Sequence, residues 1–181
     1  SSFYFQDVID PGSTNFIALA SVGFMLSALG ILNGQLLIAD RLQTSPGSLI
    51  RLGILFIFFA LIGVANSTSL VHIYISLFFY GLGGGMLGPG ISASLSLSVG
   101  KENQGSASGF LGMVIPIGHV ISPIISMPLY TINPSYPYLL GSSLMLFCLI
   151  FVLTNGRHKW IRKKNYREDY RTYTEEPPDL P

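Results

Sequence analysis

The sequence predicts an all-α membrane protein with five transmembrane helices, and three observations predict it. Charge is scarce: Asp, Glu, Lys and Arg make up 10% of the 181 residues, against about 25% in an ordinary soluble domain. Charge is also bunched: only Asp40, Arg41, Arg51, Lys101 and Glu102 lie between Pro11 and Gly156, and twelve of the remaining fourteen charged residues fall within residues 157–181. Finally, the charge-poor region divides into stretches of the roughly 20 apolar residues that a spanning helix needs. Such a distribution excludes a soluble enzyme, a disordered chain and a nucleic-acid-binding domain.

The first span is expected over residues 16–39, after the turn-forming run Asp10-Pro11-Gly12-Ser13-Thr14-Asn15 and before Asp40-Arg41. Ser45-Pro46-Gly47 then turns the chain into a second span over 49–65, rich in Leu, Ile and Phe. Asn66-Ser67-Thr68-Ser69 breaks that run, and a long third span follows over 70–98. Its Gly88-Pro89-Gly90 is expected to kink or partly unwind it. The fourth span, 106–130, begins after Lys101-Glu102-Asn103-Gln104 and carries Pro116, Pro123 and Pro128. Asn133-Pro134-Ser135 precedes the fifth, 136–154. Residues 1–156 thus form a membrane domain, and 157–181 a tail that ends in an acidic, proline-containing segment expected to be disordered.

Lys and Arg occur around Arg41 and Arg51, at Lys101 and from Arg157 onward, whereas the connections at 66–70 and 131–136 have none. By the positive-inside rule the basic connections and the C-terminus are cytoplasmic, in a bacterial inner membrane or a plasma membrane. Residues 1–15 then start at the outer face. With an odd number of spans, an outside start, and Phe3-Tyr4-Phe5 reading like the last turn of an earlier element, the chain is expected to be a C-terminal fragment lacking its N-terminal half. The run Arg162-Lys163-Lys164 reads first as a topology anchor, with anionic lipid as the alternative partner.

Projection at 100° per residue places small and polar residues on stripes. In the fourth span Gly105, Ser108, Gly109, Gly112, Pro116, His119, Pro123, Ser126 and Tyr130 share one side, opposite Phe110, Val114, Ile117, Ile121 and Ile125. Tyr74, Gly81, Gly84, Gly85, Gly88, Ser92 and Ser96 align in the third span. Gly23, Ser27, Gly30 and Gly34 align in the first, with Asn33 beside them. The pairs Gly30–Gly34, Gly81–Gly85 and Gly105–Gly109 have the four-residue spacing that lets helix backbones approach closely. Tight packing is the plain reading; helices that rock against each other are the functional one. The second and fifth spans are bulkier and read as peripheral, lipid-facing helices.

His119 is the only ionisable side chain deep within a span and is expected to face the interior. It forms either an interhelical hydrogen bond or a contact with substrate or proton, since imidazole changes charge near neutral pH. Asn33 and Gln35 carry the same pair of readings. Asp40 with Arg41 reads as a helix-end pair at the inner surface. Gly83-Gly84-Gly85-Met86-Leu87-Gly88 matches GxGxxG in letters alone, without βαβ context. No Walker A, HExxH or GxSxG run and no metal-type Cys/His spacing occurs, and Cys148 is the single cysteine. No enzyme, metal or cofactor is expected.

Gly81-Leu82-Gly83-Gly84-Gly85-Met86-Leu87-Gly88-Pro89-Gly90-Ile91-Ser92-Ala93-Ser94 resembles the tenth helix of major facilitator superfamily transporters. Asn103-Gln104-Gly105-Ser106-Ala107-Ser108-Gly109 resembles the start of their eleventh helix. Ile121-Ser122-Pro123, with Leu129-Tyr130, resembles the later part of that helix in the drug–proton antiporter branch. Ala39-Asp40-Arg41 resembles the core of the cytoplasmic signature loop between helices eight and nine, although Leu36 stands where the family has glycine and the basic pair after the Arg is absent. The resemblance implies that the five spans are helices eight to twelve of a six-helix bundle, with Phe3 to Asp7 ending the seventh.

The resemblance further implies a rocker-switch carrier with a midplane substrate site between two bundles. The small-residue stripes fall on the spans that would be helices eight, ten and eleven, which line the cavity or the interface between halves in the family. No span holds Asp or Glu, so a coupling carboxylate lies elsewhere in the carrier or His119 serves. Asn33, Tyr74, Tyr80 and His119 are the candidate contacts of the substrate or proton pathway, Tyr80 lying off the stripe. The partners are the bilayer, a small organic molecule such as a drug or metabolite, and the missing half; nucleic acid is not one. The competing reading is a degenerate homologue that binds or scaffolds in the membrane without transporting.

Overall fold

The computed structural model describes residues 16–39 and 45–155. Helix α1 spans Phe16–Asn33 and continues as a π-helical segment, Gly34–Ala39; α2 spans Pro46–Ala65, α3 Leu70–Ser98, α4 Gln104–Ile132 and α5 Tyr136–Asn155. A 3₁₀ turn, Lys101–Asn103, joins α3 to α4. All five helices are long and apolar enough to cross a membrane. Asp40, Arg41 and the tail from 157 lie outside the described residues.

Local chemistry sets the helix ends. Pro46, with its φ fixed for a first helical turn, starts α2 three residues ahead of Leu49. Arg51 sits in the second turn of the helix. Ser69 caps α3 by accepting from the His72 amide at 3.4 Å. Asn66 closes α2 by donating its side-chain amide to the Ile62 carbonyl at 2.9 Å. Between α4 and α5 the Asn133 side-chain oxygen accepts from the Ser135 amide at 2.8 Å, an Asx turn. Ser135 Oγ then donates to the Ala65 carbonyl at 2.8 Å and ties that turn to the end of α2.

Helix α3 is central, with α2 packed along one side and α1 along another; α5 packs on α2. Helix α3 runs unbroken through Pro89 instead of unwinding there. Ile73 and Met86 of α3 are the largest fully buried side chains. Ile73 belongs to a cluster with Ala20 and Leu77, flanked by Leu19, Leu70, Tyr74, Tyr130 and Tyr138. Met86 packs with Leu49 and Leu82. In lipid these contacts stabilise through van der Waals fit more than through exclusion of water.

Helix α2 departs from the expected lipid-facing role. It buries Gly47, Leu49, Gly53, Ile54, Ile57, Ala60, Val64 and Ala65, and only part of its surface, including Leu52 and Phe59, stays exposed. Small residues at Gly53 and Ala60 let α3 come close between the bulky ones. Helix α5 keeps most of its length exposed, with Ser142 and Leu149 buried. Helix α4 stays helical through Pro116, Pro123 and Pro128, and none of its residues is buried.

Candidate functional site

Two kinds of small-residue surface emerge, one closed and one open. The closed kind joins α1 to α3. A side-chain carbon built on Gly30 would collide with the Phe78 carbonyl, on Gly34 with that of Leu82, on Gly81 with that of Ser27 and on Gly85 with that of Ile31. Only glycine permits this approach at the four positions. A second closed contact, between Gly53 of α2 and Gly83 of α3, escaped the projection because Gly83 lies off the stripe of its helix.

The open kind begins one residue away. Tyr80, Gly84, Gly88, Ser92 and Ser96 follow one another at four-residue spacing along α3, and all five are exposed. A side-chain carbon on Gly84 or Gly88 would meet nothing within 4 Å. The stripe read from sequence is thus two adjacent faces: Gly81 and Gly85 close against α1, while Gly84 and Gly88 face outward. Tyr80 belongs to the outward row. The signal was present in the sequence as the 80, 84, 88, 92, 96 spacing, which averaging over a 100° projection blurred.

Helix α4 offers a second open row. Gly105, Ser108, Gly109, Gly112, Pro116, His119 and Pro123 are all exposed, and Gly105, Gly109 and Gly112 have no neighbour within 4 Å of a built side-chain carbon. The close packing expected at Gly105–Gly109 is therefore not made among the described residues. The half-buried residues of its first half are Gln104, Ala107 and Leu111, which lie to one side of the row. Nearer its C-terminus Tyr130 reaches the Ala20–Ile73–Leu77 cluster.

The four candidate contact residues separate accordingly. Tyr74 donates its hydroxyl to the Leu19 carbonyl at 3.1 Å and sits half-buried in the α1–α3 seam. Asn33 donates to the Leu29 carbonyl of its own helix at 2.8 Å, one residue before the closed contact at Gly34. Tyr80 and His119 stand exposed, one on each open row. Gln35 is exposed at the start of the π-helical segment. Among the described residues no group of three or more His, Cys, Asp or Glu is placed to hold a metal ion.

The family model of the Major Facilitator Superfamily matches residues 4–176. The chain belongs to the Major Facilitator Superfamily. It is a multi-pass integral membrane protein of an all-α transporter family rather than an enzyme. Neither a curated relative nor a solved structure matches it. Membership of the superfamily gives the open rows a context. Carriers of this kind hold substrate between helix bundles near the bilayer midplane.

Proposed function

We propose that this major facilitator chain forms one side of a secondary active carrier that moves a small organic molecule, a drug or metabolite, by alternating access coupled to protons. The observation that carries the reading is the pair of open rows. Gly84 and Gly88 of α3 and Gly105, Gly109 and Gly112 of α4 are residues that ordinarily draw helices together, yet they meet nothing. By contrast Gly30, Gly34, Gly53, Gly81, Gly83 and Gly85 are closed against a neighbouring helix. The open rows carry Tyr80, Ser92, Ser96 and His119, the aromatic and polar groups a substrate cavity uses for orientation. Asn33 and Tyr74, already bonded to backbone carbonyls, support the pathway from behind.

In this reading the five helices are the eighth to twelfth of a twelve-helix carrier, a second bundle faces the rows, and the C-terminus is cytoplasmic in a bacterial inner or plasma membrane. With no Asp or Glu in the described spans, His119 handles the proton on this side. The test is uptake or efflux by the full-length protein in proteoliposomes under an imposed proton gradient, screened over amphipathic organic compounds. Transport that disappears in Tyr80→Ala and survives in Tyr74→Phe supports the pathway; the reverse pattern refutes it.

A second reading keeps one specific observation on its side. Leu36 replaces the signature-loop glycine, and a homologue that has lost gating would bind in the membrane without transporting. Ligand-induced stabilisation without any flux under the same gradient is its outcome.

A further inference from the structure

A groove opens between α2 and α3, on the side of α3 away from Gly84. It is lined by Phe56, Phe59 and Ala60 of α2 and by Ile75, Ser76 and Phe79 of α3, and its volume is about 280 Å³. At 100° per residue Ile75 and Phe79 lie about 140–180° around the helix from Gly84. The two sets of lining residues stand at one level. Ala60 and Ile75 are each five residues from the helix ends that the 66–69 connection joins, and Phe56 and Phe79 are each nine. The groove therefore lies about 8–14 Å from those ends, inside a hydrocarbon core about 30 Å thick.

Ring contacts hold the walls apart. Phe56 packs against the buried cluster of Leu49, Leu82 and Met86, and its ring lies parallel to that of Phe79 with centroids 5.7 Å apart. Phe78 meets Phe79 edge-on at 5.9 Å, and Phe58 meets Phe59 edge-on at 5.2 Å. Rings fixed in this way keep the groove open. The lining is also apolar. Its one polar side chain, Ser76, donates its hydroxyl to the His72 carbonyl of its own helix at 2.8 Å and lies against Gly63 of α2. A bound water needs two to four polar partners, and a drug-sized ligand needs several oriented polar groups and about 300–1,000 Å³. The groove suits neither.

Phe59, Ile75 and Phe79 are exposed, and with Leu52 and Val71 they belong to an apolar surface shared by two membrane-spanning helices. The groove is thus continuous with the surface that an integral membrane protein offers to the bilayer. Left empty, it would forfeit the contacts of its lining carbons; the molecules at that depth that can supply them are lipid chains. We propose that the groove between α2 and α3 seats one acyl chain of a bilayer phospholipid, held longer than the chains that touch the exposed face of α5.

The test uses the full-length protein in bilayers containing phosphatidylcholine with a diazirine in one acyl chain. After photolysis, adducts are mapped by mass spectrometry on the six lining residues and, for reference, on exposed Leu144, Phe147 and Phe151 of α5. Adducts are expected to be denser on the lining. In Ala60→Phe, which fills the groove with a ring, the lining adducts are expected to fall about fivefold, as for the loss of roughly ten carbon–carbon contacts, while those on α5 stay the same. Unchanged lining adducts in Ala60→Phe overturn the site. So does a lining free of adducts, since another part of the protein would then cover it. Labelling by a diazirine fatty acid but not by the phospholipid overturns it as well. If Ala60→Phe does not fold, the native protein still decides: adducts no denser on the lining than on α5 overturn the proposal.

Discussion

Gly53 of α2 and Gly83 of α3 lie against each other's backbone. A side-chain carbon built on Gly53 falls 2.8 Å from the Gly83 carbonyl oxygen, and one built on Gly83 falls 2.7 Å from that of Gly53. The contact is reciprocal, and carbonyl is rigid, so neither side yields to a methyl group. Gly83→Ala is expected to destabilise the protein by about 1–3 kcal/mol, the usual range for overpacking. Unfolding of purified protein followed by temperature or denaturant checks this, and a wild-type midpoint would refute the closeness of α2 and α3.

Gly84 and Gly85 are adjacent in sequence and opposite in environment. Gly85 closes on the Ile31 backbone of α1, whereas Gly84 faces open space. Gly85→Ala is therefore expected to lower the unfolding midpoint, and Gly84→Ala to leave it unchanged or raise it slightly through helix propensity. On transport the order is different: Gly84→Ala places a methyl group on the open row proposed as the pathway and is expected to change substrate selectivity or rate. Equal stability loss in both variants would merge the two faces that the structure separates.

The legible part of the fold followed from charge and apolar length, because hydrocarbon admits helices and little else. Each of the five helices could be placed from those two quantities. Less legible was which helices sit inside. Helix α2, with its Leu, Ile and Phe, reads as lipid-facing, but bulk does not exclude packing when Gly53 and Ala60 admit a neighbour. Nor did the sequence separate the closed face of α3 from its open one, since Gly81 and Gly84 differ by three positions and share a projected stripe. The start of α2 lies three residues earlier than expected, because Pro46 fits a first helical turn.

Tyr74 and Tyr80 make a matched pair on α3. The Tyr74 hydroxyl donates to Leu19 at 3.1 Å across the α1–α3 seam, and Tyr80 is 44% exposed. Tyr74→Phe is expected to cost about 0.5–1.5 kcal/mol of stability with transport retained. Tyr80→Phe is expected to leave stability unchanged, and Tyr80→Ala to abolish or redirect transport. Thermal unfolding and flux assays on the same preparations check both halves.

The orientation is tested most directly at two exposed connections. Ser67 is 4% exposed, so Thr68, its exposed neighbour, is the better labelling position between α2 and α3. Asn103, exposed before α4, reports the other side. In intact cells a membrane-impermeant thiol reagent is expected to label Thr68→Cys and to spare Asn103→Cys until the membrane is opened. Each measurement is made in a Cys148→Ser background, because Cys148 is itself exposed. The opposite labelling pattern inverts the topology.

His119 stands on the α4 row in an otherwise apolar stretch of the helix, between Pro116 and Pro123. Its imidazole is exposed, so a structural role has no packing to rest on among the described residues. If it handles the coupled proton, His119→Ala is expected to reduce gradient-driven transport at least tenfold, roughly 1.4 kcal/mol, while counterflow without a gradient continues. His119→Gln, which keeps a hydrogen-bonding group but cannot titrate, separates the two roles left open by the sequence. Restored gradient-driven flux in His119→Gln assigns the residue to substrate contact. Loss in both variants, with counterflow intact, assigns it to the proton, and wild-type flux and pH dependence in His119→Ala removes it from the mechanism.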